Sequence, residues 1–343
     1  MLRKFDKLID KDCGLLDLFD CNLNNDDLKL LESYYLNGEK SSLEAHQSAE
    51  KVTIIALRFG HNAIDAEALT YIINALRSPH STLQKLQFLH NELHPEGLTE
   101  ISRILSVNTT LTSLEVVDDE LAASGARELA ASLLINRTLS SLTLINVSLT
   151  NGSGLDCLCN SLRLNPTICV LDLSENDIGD QGAKTLRMLL ENVFTITTLI
   201  LNDSNLGEAG VMHLAMMLRD NKGLQSVSIQ HSTPEASGVR ELAYAFRINK
   251  TLKSLDLSSC GLSDAHASIL AGALVQNSSL QDLILRRNML TDEGVNCLLQ
   301  SLRTNVYLKN LRTEGNNVSA GLGGRLSNTL RRNHSATVMA ENL

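Results

Sequence analysis

A leucine pattern returns along this chain with a nearly constant step. The stretch Val170–Ile178 reads Val-Leu-Asp-Leu-Ser-Glu-Asn-Asp-Ile, and its pattern Leu-x-Leu-x-x-Asn-x-Leu recurs elsewhere. The first position falls at Leu16, Leu57, Leu86, Leu114, Leu142, Leu171, Leu199, Val227, Leu255, Leu283 and Leu311. After a first interval of 41 residues, every step is 28 or 29 residues. A chance pattern would drift, so the chain is an array of one repeated unit. A unit this short cannot bury its own apolar face, so the units must stack.

The rest of each unit is as regular. An apolar residue lies fifteen positions after the first Leu, as at Leu129, Leu186 and Leu214, and a second four positions later, as at Leu133, Leu190 and Leu218. Such i, i+4 pairs mark the buried stripe of a helix. The fifth unit is one residue longer and reads Ser161 at the second place, with Leu158 and Leu162 restoring the register. Gly97, Gly125, Gly182, Gly210, Gly238 and Gly294 fall eleven residues after the first Leu. A residue without Cβ there lets the turn approach the neighbouring unit. Each unit therefore reads as a short strand, a turn, a helix and a return turn.

These units resemble leucine-rich repeats of the ribonuclease-inhibitor type, from about Leu15 to Arg332. The resemblance implies an α/β fold: a right-handed horseshoe solenoid of about eleven repeats, with a parallel inner sheet and outer helices. Eleven strands at ~4.8 Å spacing would give an inner arc of about 50 Å, suited to another protein. Ribonuclease inhibitor, Ran GTPase-activating proteins, tropomodulins, Nod-like receptors and axonemal subunits carry the same repeat. It implies further that the Asn position, five after the first Leu, bonds the backbone of the turn. Here it reads Cys21, Asn62, Asn91, Asp119, Val147, Asn176, Ser204, Ser232, Cys260, Asn288 and Asn316. Val147 has no polar group to offer, so the ladder is expected to break or be rebuilt there.

The chain divides into an N-terminal cap at 1–14, the solenoid at 15–332 and a partial strand or cap at 333–343 around Met339. The long first interval places an insertion at about 37–51, a polar stretch from Asn37 to Lys51. Charge narrows the function. Lys and Arg number 30 against 39 Asp and Glu, a net −9, which disfavours nucleic acid as partner. No apolar run has membrane-spanning length. The charged start MLRKFDKLIDKDC is unlike a secretory signal, and seven unpatterned Cys suit a reducing compartment. A cytoplasmic location is expected.

The most informative surface row lies three residues after the first Leu. It reads Phe19, Gly60, Leu89, Val117, Ile145, Ser174, Asn202, Gln230, Ser258, Arg286 and Glu314. Leu89, Val117 and Ile145 interrupt a polar position on three adjacent units. They are expected to form an apolar partner-binding patch, with Gln87, Glu115 and Thr143 as polar border. Arg286, Arg287 and Arg312 form a second, cationic candidate beside Ile284. His61, His90 and Asp118 share one place in successive units and read as an exposed polar row.

The sequons at Asn108, Asn136, Asn249, Asn277 and Asn333 all fall 22 residues after the first Leu. They read as the repeat's own turn, where Asn tolerates unusual backbone angles. No nucleotide-binding loop, nucleophile elbow, zinc motif or cofactor fingerprint is legible. The expectation is a non-catalytic protein-interaction scaffold, placed by resemblance in a large cytoskeletal or axonemal assembly, such as a cilium or flagellum. The alternative is a GTPase-activating protein of the Ran type, whose usual acidic tail is not matched by the final VMAENL.

Overall fold

A computed structural model describes residues 5–36, 53–62, 64, 66–78, 80–91, 93–322, 324–326 and 328–331. The expected insertion at 37–51 and the closing segment at 333–343 lie outside the described residues. The chain forms two compact units, Met1–Leu149 with Ser153–Ile168, and Thr150–Gly152 with Cys169–Leu343.

In the first unit, β1 (Ile9–Asp10) pairs antiparallel with β2 (Leu15–Phe19). Then α1 (Asn25–Leu30) runs on as a wider turn over Leu31–Leu36. Strand and helix then alternate: β3 (Ala56–Gly60), α2 (Ala66–Arg77), β4 (Lys85–Leu89), α3 (His94–Leu105), β5 (Ser113–Val117), α4 (Ala122–Leu133), β6 (Ser141–Ile145) and α5 (Ser153–Leu162). From β2 to β6 the strands are parallel neighbours in chain order.

The second unit repeats the alternation: β7 (Val170–Asp172), α6 (Gly179–Leu190), β8 (Thr198–Ile200), α7 (Glu208–Asp220), β9 (Ser226–Ser228), α8 (Glu235–Ile248), β10 (Ser254–Asp256), α9 (Asp264–Leu274), β11 (Asp282–Ile284), α10 (Asp292–Ser301) and β12 (Asn310–Arg312). All six strands are parallel neighbours in order. The architecture is an α/β repeat solenoid.

The register is the leucine ladder itself. Leu16 pairs with Leu57, Leu57 with Leu86, Leu86 with Leu114 and Leu114 with Leu142. In the second unit Leu171 pairs with Leu199, and so on to Leu311. Each of these residues is buried, as is the apolar residue two places on in every repeat but the last, where Thr313 is half-buried. A fully buried Leu contributes about 1.5–3 kcal/mol, so a one-residue slip that exposed a row would be prohibitive. The rings of Phe59 and Phe88, neighbours in this register, stack at 5.5 Å. In α5, Leu158 and Leu162 are both buried, as the fifth unit's longer spacing requires.

Strand length differs between the units for a local reason. In the first unit the parallel strands run five residues and include the third position after the Leu; in the second they run three. After four of those six strands the backbone N–H at that position is taken by a side chain. Ser174 N donates to Asp172 Oδ1, Asn202 N to Ser174 Oγ, Gln230 N to Asn202 Oδ1 and Ser258 N to Asp256 Oδ1. Short polar side chains compete with the sheet for backbone donors, and here they win. Leu89, Val117 and Ile145 offer no such bond, so pairing continues through them.

Adjacent units also cap one another. Asp180 of α6 accepts from Gly207 N at 2.9 Å and Gly210 N at 2.8 Å, closing the start of α7. Asp264 of α9 does the same for α10 through Thr291 N and Gly294 N. A Cβ on Gly210 would sit 2.6 Å from the Asp180 carboxylate, which is why a glycine is needed at this approach.

At the opposite helix end the sequon asparagines form a buried ladder. Asn136 Nδ2 donates to Leu105 O and Asn108 O, while its Oδ1 accepts from Thr138 N and Leu139 N. Asn108, Asn249 and Asn277 are held in the same way. These positions are the repeat's own turn, as expected, but the reason differs. Asn249 has φ −64° and ψ 140°, ordinary extended backbone, so it is the amide side chain that the turn needs. Asn333 lies outside the described residues.

Candidate functional site

The strands of the first unit present an open face away from the core, carrying three parallel rows. One row lies one residue after the first Leu. Arg58 Nη1 donates to Asp17 at 3.1 Å and its Nε to Gln87 Oε1 at 3.2 Å, and Gln87 Nε2 donates to Glu115 at 2.5 Å. Four strands are thus tied by one chain of polar contacts. Thr143 continues the row beside Glu115.

The middle row is apolar. Leu89 pairs with Val117 and Val117 with Ile145, and all three side chains are half-buried. The row also extends the other way. Gly60 pairs with Leu89 and Phe19 with Gly60, and the Phe19 ring lies over Gly60. The apolar surface therefore crosses five strands. Sequence reasoning noted Phe19 and Gly60 without joining them to the patch. The signal was a glycine facing an aromatic one strand away, a pairing in which the ring fills the missing side chain.

The third row lies four residues after the first Leu, and its members in the first unit are Asp20, His61, His90, Asp118 and Asn146. All five take left-handed backbone, with φ between 48° and 56°. In the second unit Glu175, Asp203, His231, Ser259 and Arg287 do the same. In the first unit the row is linked side chain to side chain. The Phe19 ring meets His61 edge-on at 4.9 Å, and His61 stacks on His90 at 4.6 Å. His90 Nδ1 contacts Asp118 at 2.7 Å, and Asn146 Nδ2 donates to the same carboxylate. His61, His90 and Asp118 form the exposed polar row expected of them. An apolar strip is thus bordered on both sides by polar side chains that hold one another.

Behind this row sits the asparagine ladder. Asn62 and Asn91 send Nδ2 to two carbonyls each. Asp119 occupies the same place, 6% exposed, and its Oδ1 accepts from Leu93 N at 3.0 Å. Its Oδ2 is buried without a partner. Burial pushes this carboxyl up to about 6, opposed by the N–H groups of Leu93 and Asn91 and by His94, and reinforced by Asp118. At Val147 the ladder is rebuilt: the carbonyl of Val147 itself accepts from Leu121 N at 3.1 Å.

The cationic candidate in the second unit is partly neutralised. Arg286 Nε donates to Glu314 at 3.0 Å, Arg312 is the register neighbour of Ile284, and Arg287 is exposed on left-handed backbone. Burial raises the Glu314 carboxyl, but its own backbone N–H, Arg286 and Arg312 together hold it below the usual range. The open face of this unit is otherwise polar. Gln230 Nε2 donates to Asp256, and Ser228 Oγ to Asn202. Asp118 and Asp119 point to opposite sides of the backbone, one toward His90 and one into the ladder. Among the described residues no three His, Cys, Asp or Glu side chains are grouped to hold a metal, and no helix is long and apolar enough to cross a membrane.

A protein-family model described as Leucine Rich repeat matches residues 164–186, 249–265 and 276–299. No curated protein matches the chain. Among solved structures, the chain is similar to the yeast Rad7 and Elc1 complex, with TM-score 0.53 and 17% identity over 87% of this chain and 75% of that one. It is also similar to the Actin-Binding Site 2 of leiomodin-1, with TM-score 0.41 and 18% identity over 47% of this chain and 92% of that one. A Caenorhabditis elegans tropomodulin C-terminal domain gives TM-score 0.29 and 19% identity, over 38% and 97% of the two chains. At 17% identity the likeness to the Rad7 and Elc1 complex is one of fold.

Proposed function

We propose that this chain, whose repeats match a leucine-rich repeat model in three segments, is a non-catalytic scaffold whose open sheet face in the first unit docks a protein partner. One observation carries the reading. Leu89, Val117 and Ile145 are consecutive in register, half-buried and apolar, where the second unit carries Ser174, Asn202, Gln230 and Ser258. The second unit forms its sheet with polar residues at this position, so a folded repeat does not require the apolar run. An apolar centre with a hydrogen-bonded polar border is the anatomy of a protein interface. Gln87 and Glu115 are already held by neighbours, so a partner would order few side chains on this border, which lowers the entropic cost of association. Arg286, Arg287 and Arg312 form a second, weaker contact for an acidic surface. The wider placement is a subunit of a cytoskeletal or axonemal assembly in the cytoplasm.

The test is affinity capture from the source cell with wild type and with Leu89→Arg/Val117→Asp/Ile145→Arg, folding being followed by circular dichroism. Loss of the wild-type partners from a folded variant supports the face. Unchanged recovery sinks it. A GTP-hydrolysis assay over a panel of small GTPases addresses the catalytic alternative, because acceleration would replace the scaffold reading with a GTPase-activating one.

A further inference from the structure

A different surface of the first unit is more exposed than the sheet face, and the reading above does not use it. Val107, Ile135 and Leu164 are 64%, 61% and 68% exposed. Each directly precedes a ladder asparagine, Asn108, Asn136 or Asn165, at the rim where helix returns to strand. The ladder fixes their mutual spacing. Asn136 Nδ2 bonds Leu105 O and Asn108 O, and Asn165 Nδ2 bonds Leu133 O and Asn136 O. Leu134 adds to the strip at 42% exposed.

The fold does not require aliphatic side chains here. In the second unit the corresponding places hold Asn192, Asp220, Gln276 and Thr304, with Ile248 the exception. Three consecutive large aliphatics, each more than 60% exposed, form the kind of patch that marks an interaction site.

Charge indicates what the rim takes. Residues 77–81, 106–110, 134–138 and 163–167 make up these returns in the unit. They contain Arg77, Arg137 and Arg163 and no Asp or Glu, in a chain of net charge −9. Arg137 is anchored, its Nη1 donating to Asn136 O at 2.8 Å, and Arg163 is exposed. Beside the strip lies an open depression of about 490 Å³, lined by Ile55, Gln84 and Ser and Thr side chains between Thr53 and Thr112, with more aliphatic than polar surface and with hydroxyl and amide groups within reach.

We propose that this rim docks an acidic amphipathic helix of a partner protein, its apolar stripe on Val107, Ile135 and Leu164 and its carboxylates toward Arg137 and Arg163. Neighbouring helices pack about 8–10 Å apart, so the strip spans roughly 16–20 Å, or about three turns of the incoming helix. Guanidinium groups bind carboxylates directionally, which fixes the register. A polypeptide fits better than a bilayer surface because Gln84 and the hydroxyls of Thr82, Thr109 and Thr112 in the adjoining depression can hydrogen-bond a polar backbone or side chain.

The probe is a fluorescein-labelled peptide of about 14 residues with Leu at i, i+3, i+4, i+7 and i+11 and Glu elsewhere, its apolar stripe about 16 Å long to match the strip. Its twin carries Lys for Glu. Binding to the full chain is read by anisotropy at roughly 0.15 M ionic strength. The acidic peptide is expected to bind about tenfold tighter than its twin, and Ile135→Gln/Leu164→Asn to weaken it by about tenfold. Arg163→Glu is expected to weaken it about threefold, and Val117→Asp on the sheet face to leave it unchanged. The Gln and Asn replacements copy residue types that the second unit carries at this place, so the variant is expected to fold. Equal binding of the twins, undiminished binding to a folded Ile135→Gln/Leu164→Asn protein, or no binding of the acidic peptide overturns the proposal. Flotation of the chain with phosphatidylserine vesicles in that last case would assign the rim to a membrane.

Discussion

The phenyl ring of Phe19 occupies the space that a side chain on Gly60 would fill: a Cβ built on Gly60 falls onto Cδ2 and Cε2 of the ring. One residue of β2 therefore furnishes the surface of β3, and its ring edge reaches His61 at 4.9 Å. In Gly60→Ala the methyl must displace the ring. Phe19 is 43% exposed, so it can swing outward and forfeits mainly the ring contact, about 1 kcal/mol. The expected outcome is a small loss of stability in urea together with a measurable loss of the partners that the Leu89→Arg/Val117→Asp/Ile145→Arg variant loses. Full capture by Gly60→Ala would show that the apolar strip stops at Leu89.

Asp119 places an acid where the two preceding units carry the amides of Asn62 and Asn91. Its folded value of about 6 stands above the ordinary 3.8, so the folded state holds its proton more tightly than the unfolded chain does. The sign follows from that order. Stability from this group is complete below about pH 4, declines as pH rises from 4 to 6, and is flat above. In Asp119→Asn this slope should vanish. Above pH 7 the variant should be more stable than wild type by about 2 kcal/mol, the shift discounted for solvent screening. Urea midpoints of the two proteins at pH 4, 5, 6 and 7.5 check it: parallel curves would mean that the Oδ2 position is solvated.

Much of this arrangement is readable from the residues alone, because a 28-residue step aligns like with like. Leu86 opposite Leu114 is both a sequence interval and a strand register, and burial gives that alignment a large energetic margin. The apolar middle row was legible for the same reason. What escaped reading depends on side-chain conformation or on backbone angles that residue type does not disclose. His61, His90 and Arg287 take left-handed angles usually left to Gly or Asn, imposed by the turn that every unit repeats. Arg286 looks like a free cation in sequence, yet Glu314, one strand away, binds it. Strand length was hidden too, since Asn202 caps the Gln230 N–H only once the strands are side by side.

The ladder at the helix ends separates a structural asparagine from a modification signal. Asn249 Nδ2 donates to Leu218 O at 2.6 Å and Asn221 O at 3.2 Å, and its Oδ1 accepts from Thr251 N at 2.8 Å and Leu252 N at 2.7 Å. The residue is 3% exposed, so water cannot replace these bonds. Asn249→Ala leaves several buried backbone groups unpaired, at about 2–4 kcal/mol. Thr251→Ala destroys the same sequon but removes only hydroxyl contacts to Asn249 and Asn221 O, at about 1 kcal/mol or less. Asn249→Asp keeps the acceptor but turns an oxygen toward Leu218 O, and should resemble the alanine variant at pH 7. Urea denaturation of the three proteins, made without glycosylation, distinguishes the roles. Equal losses for Asn249→Ala and Thr251→Ala would contradict the amide ladder, because only the asparagine carries the unit-to-unit bonds.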